Sequence, residues 1–152
     1  MDSCDKENLL EVYEPISRND MYAKLSNIRV VRITEMGAEG ELLLGPEVYN
    51  ENHDVHGGAL FTLADTVSSS AAYVWGVRHL GENISCTTAT TSFSYLRPVQ
   101  GGERVICKAT LRKMGKTLAV SDVSVLDEKG VEVCCGMFTV CFLDLNRYRK
   151  EK

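Results

Sequence analysis

From Gly57 to about Trp75 the chain reads GGALFTLADTVSSSAAYVW. Leu60, Leu63, Ala64, Val67, Ala71 and Val74 recur there at helical spacing. Some 19 residues at ~1.5 Å each make a helix about 28 Å long. The run is rich in Ala, Ser and Gly. Small side chains let neighbours approach the backbone closely, so this helix is expected to be buried on most sides. Gly76 is its expected stop.

Almost everything else reads as β-strand. Residues 28–36 are rich in Ile and Val, with a break expected at Gly37–Gly40, and residues 41–45 resume the strand up to Gly45-Pro46. Residues 84–96 are heavy in Thr, with Phe93 and Tyr95 on one parity. In 104–112, Val105, Cys107, Ala109 and Leu111 alternate with polar residues, Ile106 being the exception. Residues 117–126 and 131–143 are also strand-like, with short Gly-bearing breaks at 113–116 and 127–130. Breaks that short join antiparallel neighbours, because parallel strands need long crossovers. The expected architecture is α+β: a curved antiparallel sheet of five or six strands wrapped around one central helix. Such a sheet leaves an edge open, which favours pairing in a dimer.

The flanks differ in character. Residues 1–18 read as a polar extension draped over the domain, with Leu9, Leu10, Val12 and Ile16 as anchors and Pro15 expected to interrupt any helix. Asn19 or Asp20 can cap a short helix ending near Ser26, with Met21, Tyr22 and Leu25 on one face. Residues 146–152 form a charged tail. With 17 Lys+Arg against 21 Asp+Glu and no basic run, the chain is a poor nucleic-acid or anionic-membrane binder. No apolar stretch spans a bilayer, and Met1 to Leu10 lacks the pattern of a signal peptide. Five of the six cysteines lie in extended apolar segments and Cys4 in the polar tail, with no C-x-x-C pair. Reduced thiols in a cytoplasmic protein are expected, and no metal site.

Chemistry concentrates at the start of the helix. Gly57 and Gly58 open it, where backbone N–H groups lack helical partners and the dipole is positive. Glycines there let a substrate oxygen approach, although Gly-Gly alone also makes a tight turn. Asp65 sits two turns in, either as a general base or nucleophile lining a cleft or as a solvent-facing residue beside Ser68 and Ser69. Asn50, with Asn52 as competitor, either holds a water or carbonyl or is an ordinary turn residue. His56 is expected to fix the loop rather than to catalyse, and His53 and His79 to be loop residues.

Asn50, then His56-Gly57-Gly58, then Leu63-Ala64-Asp65 resembles the signature of the hotdog-fold acyl-CoA thioesterases, in their PaaI-type branch. The resemblance extends over residues 19–143, taking in Tyr95-Leu96-Arg97-Pro98 and the Gly130 hairpin, so 19–145 is the expected hotdog domain. The chain departs from the family in one respect: many members carry glycine three residues after the Asn, where this chain has His53. The resemblance implies hydrolysis of an acyl-CoA, with no cofactor because coenzyme A belongs to the substrate. It implies that Asp65 is base or nucleophile, that the Gly57 N–H polarises the carbonyl, and that Asn50 orients water or carbonyl. It further implies that Thr88 assists, with Thr87 as fallback, and that His56 and Gly58 support substrate binding. Arg97, Arg112, Lys113 and Lys116 are candidates for the CoA phosphates, or plain surface charge. The acyl tunnel is expected among Leu60, Phe61, Val67, Tyr73 and Phe93. Other readings are a thioesterase for acyl-carrier protein and a non-catalytic acyl-CoA-binding module.

Gly57 and Asp65 lie about 12 Å apart along the helix axis. One thioester cannot readily meet both within one chain. Two antiparallel helices from two subunits bring Gly57 and Asn50 of one chain to Asp65 and Thr88 of the other. A homodimer is the expectation, and the resemblance to the hotdog family implies its further assembly to a tetramer.

Overall fold

A computed structural model describes residues 7–150, leaving out the side chain of Lys150. Cys4 and the outer ends of the extension and tail lie outside them. Two short helices lead in, α1 (Leu10–Ser17) and α2 (Met21–Leu25). The hairpin β1 (Ile28–Thr34) and β2 (Gly37–Leu43) follows. Then come the long helix α3 (Gly57–Leu80), four strands and a final turn of helix. The strands are β3 (Ile84–Tyr95), β4 (Arg104–Met114), β5 (Leu118–Leu126) and β6 (Glu132–Asp144), and α4 is Leu145–Lys150. The six strands form one sheet in the order β1-β2-β4-β5-β6-β3, with every neighbour antiparallel. The sheet curls around α3, and this is the anticipated hotdog arrangement. The core lies between them: Leu63, Val67 and Val74 of α3 and Ile33, Leu42, Val105, Val125 and Phe138 of the sheet are fully buried.

Glycine is where the expected boundaries change. The helix does not stop at Gly76. It runs 24 residues to Leu80, and Gly81 takes the left-handed end with φ +112°. Gly76 is buried, and a Cβ there would sit 2.7 Å from the Phe142 ring. It lets the sheet approach rather than ending the helix. Likewise Gly37–Gly40 is no break. The two-residue turn is Glu35-Met36, and Gly37 and Gly40 lie inside β2. A Cβ on Gly37 would overlap the Ala109 carbonyl of β4, and one on Gly40 would overlap Val67 of α3.

Pro15 does not interrupt α1 but lies inside it. The carbonyl deprived of a donor belongs to exposed Glu11, where water can serve it. Leu9 and Tyr13 are buried, and the Leu9 N–H donates to the Ile33 carbonyl at 2.7 Å. Asp20 caps α2, accepting from the Ala23 N–H at 2.9 Å, while Met21, Tyr22 and Leu25 are all exposed. The β4–β5 break is shorter than expected, because the strands extend to Met114 and from Leu118. Among the described residues no helix is long and apolar enough to cross a membrane.

Candidate active site

The loop before α3 is tied down by its own polar groups. The Asn50 side-chain carbonyl accepts from the Asn52 and Asp54 N–H groups at 2.9 and 3.1 Å, and the Asn50 N–H donates to the Asp54 carbonyl at 2.8 Å. Val55 and His56 donate to the carbonyls of Val99 and Val48 at 2.8 and 2.7 Å. His53 stands at the tip with φ +62°, a conformation glycine adopts at no steric cost. The chain therefore makes this left-handed turn with a non-glycine residue. Replacing His53 by glycine is expected to leave the melting temperature unchanged or slightly raised. A β-branched valine there is expected to lose about 1 kcal/mol, read by urea unfolding.

His56 caps α3. Its Nδ1 accepts from the Gly58 N–H at 2.8 Å, which puts the neutral ring's proton on Nε2. This is the supporting role expected of His56, and it engages Gly58. The amide remaining at the tip is that of Gly57, whose N–H meets no acceptor among the described residues. The Asn50 carbonyl end serves the loop, which leaves its Nδ2 amide to meet a ligand. Asn52 is exposed.

Two turns along α3, the half-buried Asp65 meets β3. The Thr88 hydroxyl donates to Asp65 Oδ1 at 2.5 Å, while Thr87 is exposed. Oδ2 has no donor among the described residues, so the pair presents one fixed carboxylate with an open oxygen. The Cys86 thiol lies beside them, donating to the Ser69 carbonyl at 3.6 Å. Burial pushes its pKa up to about 12, with the Asp65 charge adding to the effect, so it stays a neutral thiol.

Sequence reasoning gave Tyr95 no role in the site. Its ring lies against Gly57, where a Cβ would come within 3.1 Å of it, and its hydroxyl donates to the Gly57 carbonyl at 3.2 Å. Phe93 joins it, edge-on to Tyr95, Phe61 and Phe138 at 5.0–5.9 Å between centroids. Thr88 and Tyr95 are seven residues apart, so a regular strand would point them to opposite faces. A bulge at Ala89 shifts the β3–β6 register between Thr88 and Thr90, and both side chains face α3.

Other candidates lie elsewhere. Arg97 donates to the Glu132 carbonyl at 2.6 Å, and Arg112 pairs with Asp122 at 3.3 Å. Lys113 and Lys116 are exposed at the β4–β5 end. Lys113 is three strands from β3, about 14 Å across the sheet. Leu60 and Val67 belong to the closed core rather than to a tunnel. No group of three or more His, Cys, Asp or Glu among the described residues is placed to hold a metal ion.

This arrangement can be set beside known proteins. The chain is 26% identical over 123 residues to the acyl-coenzyme A thioesterase PaaI of Escherichia coli, across 81% of this chain and 80% of that one. The solved structure of E. coli PaaI superposes with a TM-score of 0.79 at 22% identity, covering 88% of this chain and 92% of that one. A thioesterase of Haemophilus influenzae gives a TM-score of 0.79 at 21% identity, covering 92% and 94%. These two structures share the hotdog fold. The family description "Thioesterase superfamily" matches residues 52–134, a stretch that contains the His56 cap, Gly57, the Asp65–Thr88 pair and the strand carrying Tyr95. With more than half its length matched, the chain belongs to the thioesterase superfamily.

Proposed function

We propose that this protein hydrolyses acyl-CoA thioesters: acyl-CoA and water give the free acid and coenzyme A. The observation that carries the reading is the Asp65–Thr88 pair, a carboxylate locked by a hydroxyl at 2.5 Å with its second oxygen open. The helix tip supplies the complementary half, the Gly57 N–H held ready by the His56 cap. An oxyanion forming on the thioester carbonyl takes the Gly57 N–H. Asp65 acts on the carbonyl carbon, through a water or directly, and the thiolate of coenzyme A leaves. The reaction draws on water, a carboxylate and backbone donors, and needs no cofactor. The cationic ends of Lys113 and Lys116 are assigned to the phosphates of coenzyme A, with Arg97 nearer the helix tip. The free thiols of Cys86, Cys107, Cys134, Cys135 and Cys141 suit a reducing cytoplasm.

Each site is shared between two chains. Gly57 and Asp65 are about 12 Å apart along one helix, too far for one thioester carbon to meet both. β3 ends the sheet, so its outer edge is unpaired within one chain, and most of its side chains are exposed. Antiparallel pairing of two such edges about a twofold axis sets the Gly57 and Tyr95 end of one strand beside Thr88 of the other. Met137 and Leu43, exposed on the outer face of the sheet, support association of two such dimers into a tetramer.

Mixed subunits test this. Asn50→Ala and Asp65→Ala proteins are each expected to be inactive. Random reassortment makes half the dimers hybrid, each with one intact site, so about a quarter of wild-type activity should return. Hybrids verified by native mass spectrometry that stay inactive would place each site within a single chain.

A further inference from the structure

The two N-terminal helices do more than cover the core: they border a half-open cavity of about 290 Å³ beneath them. Its walls come from four elements: Leu10 and Tyr13 of α1, Ala23 of α2, Ile28 and Val30 of β1, and Thr66 of α3. The charged residues Glu14, Asp20, Lys24 and Arg29 also border it. Thr66 directly follows Asp65, so floor and catalytic carboxylate are about 1.5 Å apart along the helix axis and rotated by ~100°. We propose that this cavity receives the acyl tail of the substrate, making α1 and α2 the part of the chain that selects chain length.

The proposal rests on the acyl-CoA reading above and names the part of the substrate this chain recognises. Three observations support it. The first is size: a ~150 Å³ apolar cavity holds a benzene ring, so one of about 290 Å³ has room for an aryl group or a chain of about eight carbons. The second is position. Tyr13 lines the cavity and meets Tyr73 of α3 edge-on at 6.5 Å. Tyr73 lies on the same helix as Asp65, so Tyr13 packs on the helix that carries the catalytic carboxylate. Helix α1 thus bridges the cavity and the helix that carries Asp65. The third is chemistry: the lining surface is mainly apolar, which accepts an apolar tail while the thioester end stays at the carboxylate. Of the expected tunnel residues, Leu60 and Val67 are closed in the core, while Phe61, Tyr73 and Phe93 are partly buried.

The test pairs a filled cavity with an opened one. Ala23→Phe should lower the ratio of kcat/KM for octanoyl-CoA over acetyl-CoA by about 10–200-fold, the discrimination an apolar pocket gives when even one methylene loses its place. Leu10→Ala should move the preferred acyl length upward. A second readout is independent of turnover. Octanoate titrated into the wild type should shift the Ala23, Val30 and Thr66 amide resonances saturably, and Ala23→Phe should abolish those shifts. If both variants keep the wild-type ratio, or octanoate perturbs none of these amides, the assignment is overturned. A wild type that hydrolyses no acyl-CoA yet binds octanoate here would refute the hydrolase reading and leave the pocket standing. If Ala23→Phe does not fold, the Leu10→Ala profile and the wild-type titration decide.

Discussion

Asp65→Ala is expected to reduce kcat for any acyl-CoA substrate by about a thousandfold or more, with folding intact. A positioned base contributes ~10²–10⁴ in rate, and here the same carboxylate also fixes the attack geometry. Stability should not suffer, because Asp65 is half-buried and has one side-chain partner, Thr88, among the described residues. A charge held partly out of water is a group the fold tolerates for function rather than needs for stability. Two further variants separate the chemistry from the geometry. Asp65→Asn can still accept from the Thr88 hydroxyl but cannot take a proton or attack as a carboxylate, so it should be nearly as inactive as alanine. Thr88→Val removes the hydroxyl and leaves the carboxylate, so Asp65 loses its orientation. The expected loss in kcat is about tenfold, with KM little changed, as befits a bond of ~1 kcal/mol or somewhat more. Steady-state thiol release on octanoyl-CoA and benzoyl-CoA reads all three. Wild-type rates in Asp65→Ala would remove Asp65 from the mechanism.

The helix, its strands and the polarity of the site could be read before any coordinate, because each is written in local periodicity. Asp65 stood out as an acid in an apolar helix, and His56 as a residue that fixes the loop; that it does so by capping α3 is a finding of the structure. What escaped depends on pairs distant in sequence. Gly37, Gly40 and Gly76 look like punctuation in a one-dimensional reading. Their reasons lie in Ala109, Val67 and Phe142, residues that come within reach only when the sheet closes on the helix. The period-two rule would send Thr88 and Tyr95 to opposite faces, and the Ala89 bulge reverses that. No residue type signals a bulge there, so the choice between Thr87 and Thr88 needed the partner strand. Pro15 misled for the opposite reason. A general rule about proline gave way at an exposed turn, where the carbonyl left without a donor is open to water. The cavity under α1 was invisible because it exists only once the consecutive α1, α2 and β1 fold against Thr66 of the distant α3.

Gly37→Ala is expected to be the most damaging single methyl group in the protein. β2 lies between β1 and β4, with Gly37 opposite Thr110 and Ala38 opposite Ala109. A Cβ on Gly37 would overlap the Ala109 carbonyl oxygen and sit 3.2 Å from Thr110 Cα. Both neighbours are backbone atoms of a central strand, which cannot rotate aside as a side chain can. Relief requires β2 and β4 to part, which lengthens ladder hydrogen bonds and loosens the wall against which α3 packs. Overpacking of this kind costs about 3 kcal/mol, or some 6–12 °C in melting temperature for a chain of this size. Gly40→Ala should cost less. Its Cβ would overlap a Val67 methyl, which can shift slightly, although the Arg29 carbonyl at 3.0 Å limits the escape. Gly115→Ala is the control. Its nearest neighbour is the Leu118 carbonyl at 3.6 Å, and it should fall within about 0.5 kcal/mol of wild type. Urea unfolding should therefore rank the midpoints with Gly115→Ala highest and Gly37→Ala lowest. The same order should appear in activity near the melting range, because Asp65 faces Thr88 only while the sheet is wrapped tightly on α3. A Gly37→Ala protein that unfolds together with Gly115→Ala would mean that β2 and β4 have slack at this crossing, and that the close curl of the sheet is not set by these glycines.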